Sequence, residues 1–158
     1  MAVDETQFRQ TLSHFASGVT VVTTAREGQL YGMTVASFAS LSLRPPLVLV
    51  CIEKIVKTHD AIAATGKFAV SILEQSQQDI SGRFASRAED KFTDVALRTG
   101  ESGLPLIESA LATLECSVTD QLPGGDHTIF VGRVDHVRTR EGQPLIYFRS
   151  GYSALGSL

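Results

Sequence analysis

Cysteine is scarce and tryptophan is missing altogether: the 158 residues hold two of the first and none of the second. Two cysteines, Cys51 and Cys116, cannot make a disulfide framework, and no Cys-x-x-Cys pair is present. Both fall in apolar, strand-like runs, so buried free thiols in a reducing, cytoplasmic compartment are expected. Long apolar runs are also lacking. The longest, Leu47 to Ile52, is far too short to span a membrane, and the first residues carry neither the basic nor the apolar region of a signal peptide. Basic charge is not in excess. With a net charge of -3 and a pI near 5.8, no nucleic-acid partner is expected.

Several catalytic signatures are absent too. No Gly-x-Gly-x-x-Gly follows a strand, which argues against a dinucleotide fold of the alternating type. Gly66-Lys67 lacks the upstream glycine of a phosphate loop. Gly151-Tyr-Ser-Ala ends in Leu155 where a nucleophile elbow needs glycine. The histidines at 14, 59, 127 and 136 show no metal-ligand spacing, so no metal is expected.

What is present is a chain of single-domain size, 1-158, with 43% hydrophobic and 20% charged residues. That balance builds a core and excludes disorder. A helix opens it. Asp4 is placed to N-cap, Gln7 to complete a capping box and Val3 with Phe8 to form a staple. Phe8, Leu12 and Phe15 share one face, expected to pack into the core, and Gly18 is placed as the stop. Strands are predicted from Gly18 to Thr24, from about Leu30 to Phe38, and from Leu47 to Ile52. Gly32 reads as a bulge and Pro45-Pro46 as a loop.

Thr58 is placed to N-cap a short helix stopped by Gly66; a strand follows from Lys67 to Leu73, and a helix from Gln75 to about Ser86. A polar, irregular stretch runs from Arg87 to Gly103, apart from a short strand at Val95 to Arg98. Long strands are predicted from Ala110 to Gln121 and His127 to Arg138, joined by a Pro123 to Asp126 turn. A last strand runs from Pro144 to Arg149. Many strands and few helices indicate a mainly β barrel or sandwich.

The segment from Gly32 to Thr58 is the most telling. Small hydroxyl residues fill its first half, an apolar strand follows, and Lys57-Thr58 opens the next element. This order suits a polar groove for a flat ligand carrying a phosphate. Thr34, Val35, Ala36 and Ser37, with Ser40 and Ser42 in support, could meet the edges of such a ligand. The same residues are also ordinary strand residues. Thr58 at a helix start could bind an anion or serve only as a cap.

Gly18 to Thr23, Gly32 to Phe38, Pro45 to Val50, Phe84 to Phe92, Gly125 to Val134 and Pro144 to Tyr152 resemble, in order, motifs of the flavin reductase-like family. The resemblance implies an FMN-binding split β-barrel of Greek-key type with a few peripheral helices. It also implies a homodimer holding FMN or FAD non-covalently, NADH or NADPH as reductant, and a flavin-dependent monooxygenase fed by the reduced flavin.

For the cofactor the resemblance implies Thr34, Val35, Ala36, Ser37, Ser40, Glu53, Lys54, Lys57, Thr58, Phe84, Arg87, Lys91 and Phe92. For the nicotinamide it implies His127, Asp126 and Tyr152. His127 can equally cap its turn by pairing with Asp126, and Lys91 can equally be a solvated loop lysine. No catalytic acid or base is obligatory, because the hydride passes directly between the two rings. One departure is Val56, where relatives often carry serine. The alternatives are a flavin-binding electron carrier or sensor on the same fold, and a pyridoxamine phosphate oxidase-like enzyme.

Overall fold

A computed structural model of the chain describes residues 2-156. Its elements in chain order are α1 (Glu5–Leu12), β1 (Ser17–Gly18), β2 (Thr20–Arg26), β3 (Gln29–Val35), β4 (Phe38–Leu43), β5 (Pro46–Glu53), α2 (Lys57–Thr65) and β6 (Lys67–Ile72). There follow α3 (Gln78–Ala85), β7 (Leu97–Thr99), β8 (Pro105–Ile107), β9 (Ala112–Gly124), β10 (His127–Thr139), β11 (Ile146–Phe148) and β12 (Gly151–Ser153).

Seven strands form one antiparallel sheet in the order β3-β2-β6-β9-β10-β5-β4. Its two edge strands, β3 and β4, are consecutive in sequence, joined only by Ala36 and Ser37. Val35 to Phe38 spans at most ~10 Å, whereas seven flat strands would separate the edges by roughly 29 Å. The sheet therefore curls until its edges meet, and β3 also approaches β5 across the seam. The fold is mainly β, an open barrel with few helices.

Alternation fills the inside. Val48, Val50 and Ile52 of β5 point inward with Phe68, Val70, Cys116 and Phe130. Gly132 is where the interior is tightest: an added Cβ would sit 2.6 Å from the Phe68 ring and 2.9 Å from Cys116. Burial, with the Asp135 and Glu115 charges, pushes the Cys116 thiol up to about 12, so it is inert at neutral pH. Cys51 is half-buried on the outer face instead of fully buried.

Several expectations need correction. α1 is capped by Asp4, whose side chain accepts from Gln7 N–H at 2.8 Å, but it ends at Leu12 with Ser13 as C-cap, before Gly18. The apolar stripe is not core: Phe8 and Leu12 on α1 and Phe15 just beyond it are 58%, 50% and 78% exposed, because among the described residues no strand or helix lies over them. Gly32 makes no bulge. It pairs regularly with Thr23, and glycine is required there because a Cβ would meet the Phe84 and Phe92 rings at 2.9 Å. The strand expected to reach Phe38 stops at Val35, where the chain crosses the seam and starts β4. Pro46 begins β5, paired with Leu43.

Thr58 is not the cap of α2. Val56 is, without a side-chain hydrogen bond, while Gly66 closes the helix in the left-handed conformation as expected. The strand β9 continues to Gly124, so only Gly125 and Asp126 form the turn before β10.

Candidate functional site

The seam is where the backbone leaves one edge strand and joins the other. At Ala36 and Ser37 the chain leaves β3, and both residues are exposed. Ser37 is fixed to β5 from both sides: its carbonyl accepts from Cys51 N–H at 3.1 Å, and its hydroxyl donates to the Cys51 carbonyl at 2.9 Å. The Thr34 hydroxyl donates to the Ser81 carbonyl at 2.6 Å, tying β3 to α3. Both hydroxyls thus fix the backbone on either side of the seam. Val35 is buried, and Ser40 is exposed on the edge strand β4.

The start of α2 is electrically open. With Val56 as cap, the Lys57 and Thr58 N–H groups have no acceptor among the described residues. The Thr58 hydroxyl has none either. An uncapped helix start with a free hydroxyl fits an anionic group. The Val56 departure therefore removes one hydroxyl and leaves more of the backbone open. Lys57 pairs with Glu89 at 3.0 Å, but both side chains are largely exposed, so the pair contributes little stability. It does bring the Arg87 to Phe92 loop beside the helix start.

Lys91 is anchored in that loop. Its ammonium donates to the Phe84 carbonyl at 3.2 Å and the Gly32 carbonyl at 3.4 Å, and burial lowers its pKa. Phe84 has no exposed surface. Phe92 packs edge-on against it at 4.9 Å between ring centres, so this pair supports the groove from beneath. Arg87 is exposed, with no side-chain hydrogen bond or ion pair among the described residues.

A second group forms at the mouth of β10. His127 lies opposite Glu53 of β5, and its Nδ1 meets Asp126 Oδ1 at 2.7 Å. The hydrogen bond to His127, more than its charge, lowers the Asp126 pKa. Lys54 clamps the turn, its ammonium donating to the Gly125 carbonyl at 2.7 Å and its N–H to the Asp126 carbonyl at 2.9 Å. Glu53, Lys54, Asp126 and His127 are thus one unit. Tyr152 is not part of it: its hydroxyl lies 2.7 Å from the Ser81 hydroxyl, on the α3 side.

Sequence reading passed over His59 and Ser81. His59 Nε2 lies 2.8 Å from the Thr128 hydroxyl and its Nδ1 3.0 Å from Asp60, joining α2 to β10. Ser81 joins Thr34 to Tyr152. Neither carries a sequence signal, since each acts through a contact between distant elements.

The sequence profile described as "Flavin reductase like domain" matches residues 12-156, and the chain belongs to that family.

The chain is 39% identical over 156 residues to the reductase subunit HsaB of a flavin-dependent monooxygenase from Mycobacterium tuberculosis, covering 97% of this chain and 83% of the relative. It is 41% identical over 150 residues to an NADH-dependent flavin reductase from a Rhodococcus species, with 93% and 84% covered. The Streptomyces globisporus NADH:FAD oxidoreductase SgcE6, solved with NAD and FAD fragments, superposes with a TM-score of 0.93 at 37% identity, covering 99% and 97%. Among the described residues no helix is long and apolar enough to cross a membrane.

Proposed function

We propose that the protein is an NADH-dependent flavin reductase that supplies reduced flavin to a monooxygenase. The observation that carries this reading is the seam itself, with Ala36 and Ser37 exposed and Ser37 bonded to β5, the strand that leads into the open N–H groups of Lys57 and Thr58. NADH and FAD are the pair supported by the Rhodococcus and Streptomyces relatives, and the monooxygenase partner by the Mycobacterium relative.

The flavin ring edge is read by the backbone of Val35, Ala36 and Ser37, with Thr34 and Ser40 flanking. The flavin phosphate lies at Thr58, with Lys57 and Arg87 supplying charge. Lys91, Phe84 and Phe92 position this wall. When bound, the flavin supplies a hydride acceptor facing the nicotinamide donor, so no side chain has to move a proton for that transfer. His127, oriented by Asp126 and the Lys54 clamp, holds the nicotinamide.

The purified protein is expected to oxidise NADH only with flavin present, followed as loss of nicotinamide absorbance with FAD, FMN or riboflavin added in turn. Tight flavin binding without any NADH or NADPH oxidation would leave an electron carrier instead.

The working unit is a homodimer. The exposed Phe8 and Leu12 on α1, Phe15 just beyond it, and Leu41 with Leu43 on β4 are more apolar surface than isolated side chains explain. Sedimentation at micromolar concentration is expected to give twice the chain mass of 17.0 kDa. A monomer that still binds flavin would remove the dimer.

A further inference from the structure

The far end of β10 from His127 carries a second polar site. A cavity of about 160 Å³ lies there, lined by Arg98 of β7, Thr113 of β9, and Arg138 and Arg140 at the end of β10, with Glu108 the single carboxylate. A neighbouring cavity of about 180 Å³ shares Arg98, Thr113 and Arg138. Glu101, Glu115 and His136 complete the charged lining of that second space. The Glu115 carboxylate is already committed, accepting from Glu101 N–H at 3.0 Å and Ser102 N–H at 2.7 Å.

Three guanidinium groups beside one cavity repel one another, and the usual remedy is a carboxylate. Carboxylates supply it only in part: the Arg140 charge helps lower the Glu74 pKa, but among the described residues no arginine of this cluster lies within ion-pair distance of an acid. This happens in a chain whose net charge is -3, where acids are plentiful. Arg140 is held by backbone carbonyls, its Nε donating to Ser109 at 2.9 Å and its Nη1 to Glu141 at 3.0 Å. Arg98 makes only a long contact, 3.5 Å, with the Thr113 hydroxyl. Arg138 makes no side-chain hydrogen bond among the described residues. Thr113 pairs directly with Arg138 across the β9–β10 ladder, so the hydroxyl and two uncommitted guanidinium groups share one place.

We propose that this cavity binds a small tetrahedral oxyanion of the phosphate class, free or carried on a small organic molecule. Arg98 and Arg138 supply forked donors, Thr113 a hydroxyl, and Arg140 a fixed positive charge. The volume suits one such group and is too small for a dinucleotide. None of the residues assigned above to flavin or nicotinamide lines the cavity, so the site is separate from the cofactor groove.

The test is a titration of the full chain with inorganic phosphate and with glycerol phosphate at constant ionic strength. Backbone amide resonances report the site, and chloride is the control. Saturable shifts are expected at residues 98, 113 and 138-140, with a Kd of about 1 mM or tighter. Arg98→Gln and Arg138→Gln should each weaken binding at least tenfold. Tighter binding of the ester would identify an organic phosphate as the source, and tighter binding of inorganic phosphate the free anion.

Shifts confined to residues 56-59, equal shifts with chloride, or variants of undiminished affinity would overturn the proposal. Should either variant fail to fold, the wild-type amide map against chloride decides alone.

Discussion

Phe130→Ala is expected to lower the free energy of unfolding by about 3–5 kcal/mol. The ring has no exposed surface and lies in the middle of the barrel with Val50, Ile52 and Phe68. It also carries His59 edge-on at 5.3 Å, so its loss empties a space bordered by two strands and a helix. Collapse into that space is hindered because Gly132 already allows Phe68 its closest approach. Urea denaturation should show a lower midpoint with an unchanged slope. A loss below about 1 kcal/mol would mean that the interior relaxes freely, contrary to its packing.

His127→Ala is expected to raise the KM for the nicotinamide by roughly 5–30-fold, the equivalent of about 1–2 kcal/mol for one lost hydrogen bond or stack. Flavin affinity should change much less. The structure makes this separation sharper than sequence alone could. The turn is held by Lys54 through two carbonyls, not by the imidazole, so removing the ring leaves the turn in place. Asp126→Asn should act in the same direction and more weakly, since it only orients the ring. Steady-state kinetics in NADH, alongside flavin titration by fluorescence, separates the outcomes. Equal losses in both would place His127 in support of the flavin wall. Unchanged kinetics would reduce it to a turn residue.

Much of the barrel was legible because strand alternation and turn residues are local signals. Leu47 to Ile52 and the long β9–β10 hairpin read correctly for that reason. The errors share a cause: each concerns what an element packs against. An apolar stripe such as Phe8, Leu12 and Phe15 states that a face should be covered, but not by what, and here the chain itself does not cover it. Gly32 reads locally as a backbone irregularity, whereas its role is steric, set by the rings of Phe84 and Phe92, distant in sequence.

The proposed cofactor segment, Thr34 to Ser37, is legible through the order of its residues. Its place at the seam depends on the curl of the sheet, which no local pattern encodes. A motif does not say which of its residues are buried: Phe84 has no exposed surface, while Lys91 is half-buried and holds the Phe84 carbonyl.

The two-residue link between β3 and β4 has a consequence for how the protein keeps to itself in solution. Unpaired strand edges recruit strands from other chains, and a sheet opened flat would offer two of them. A barrel closed completely would offer none, but would also leave no free backbone for recognition. Ala36 and Ser37 tether the two edges so closely that a foreign strand, needing a lane about 5 Å wide on each side, has little room to enter. The same short tether that draws the two edges together thus guards against clumping.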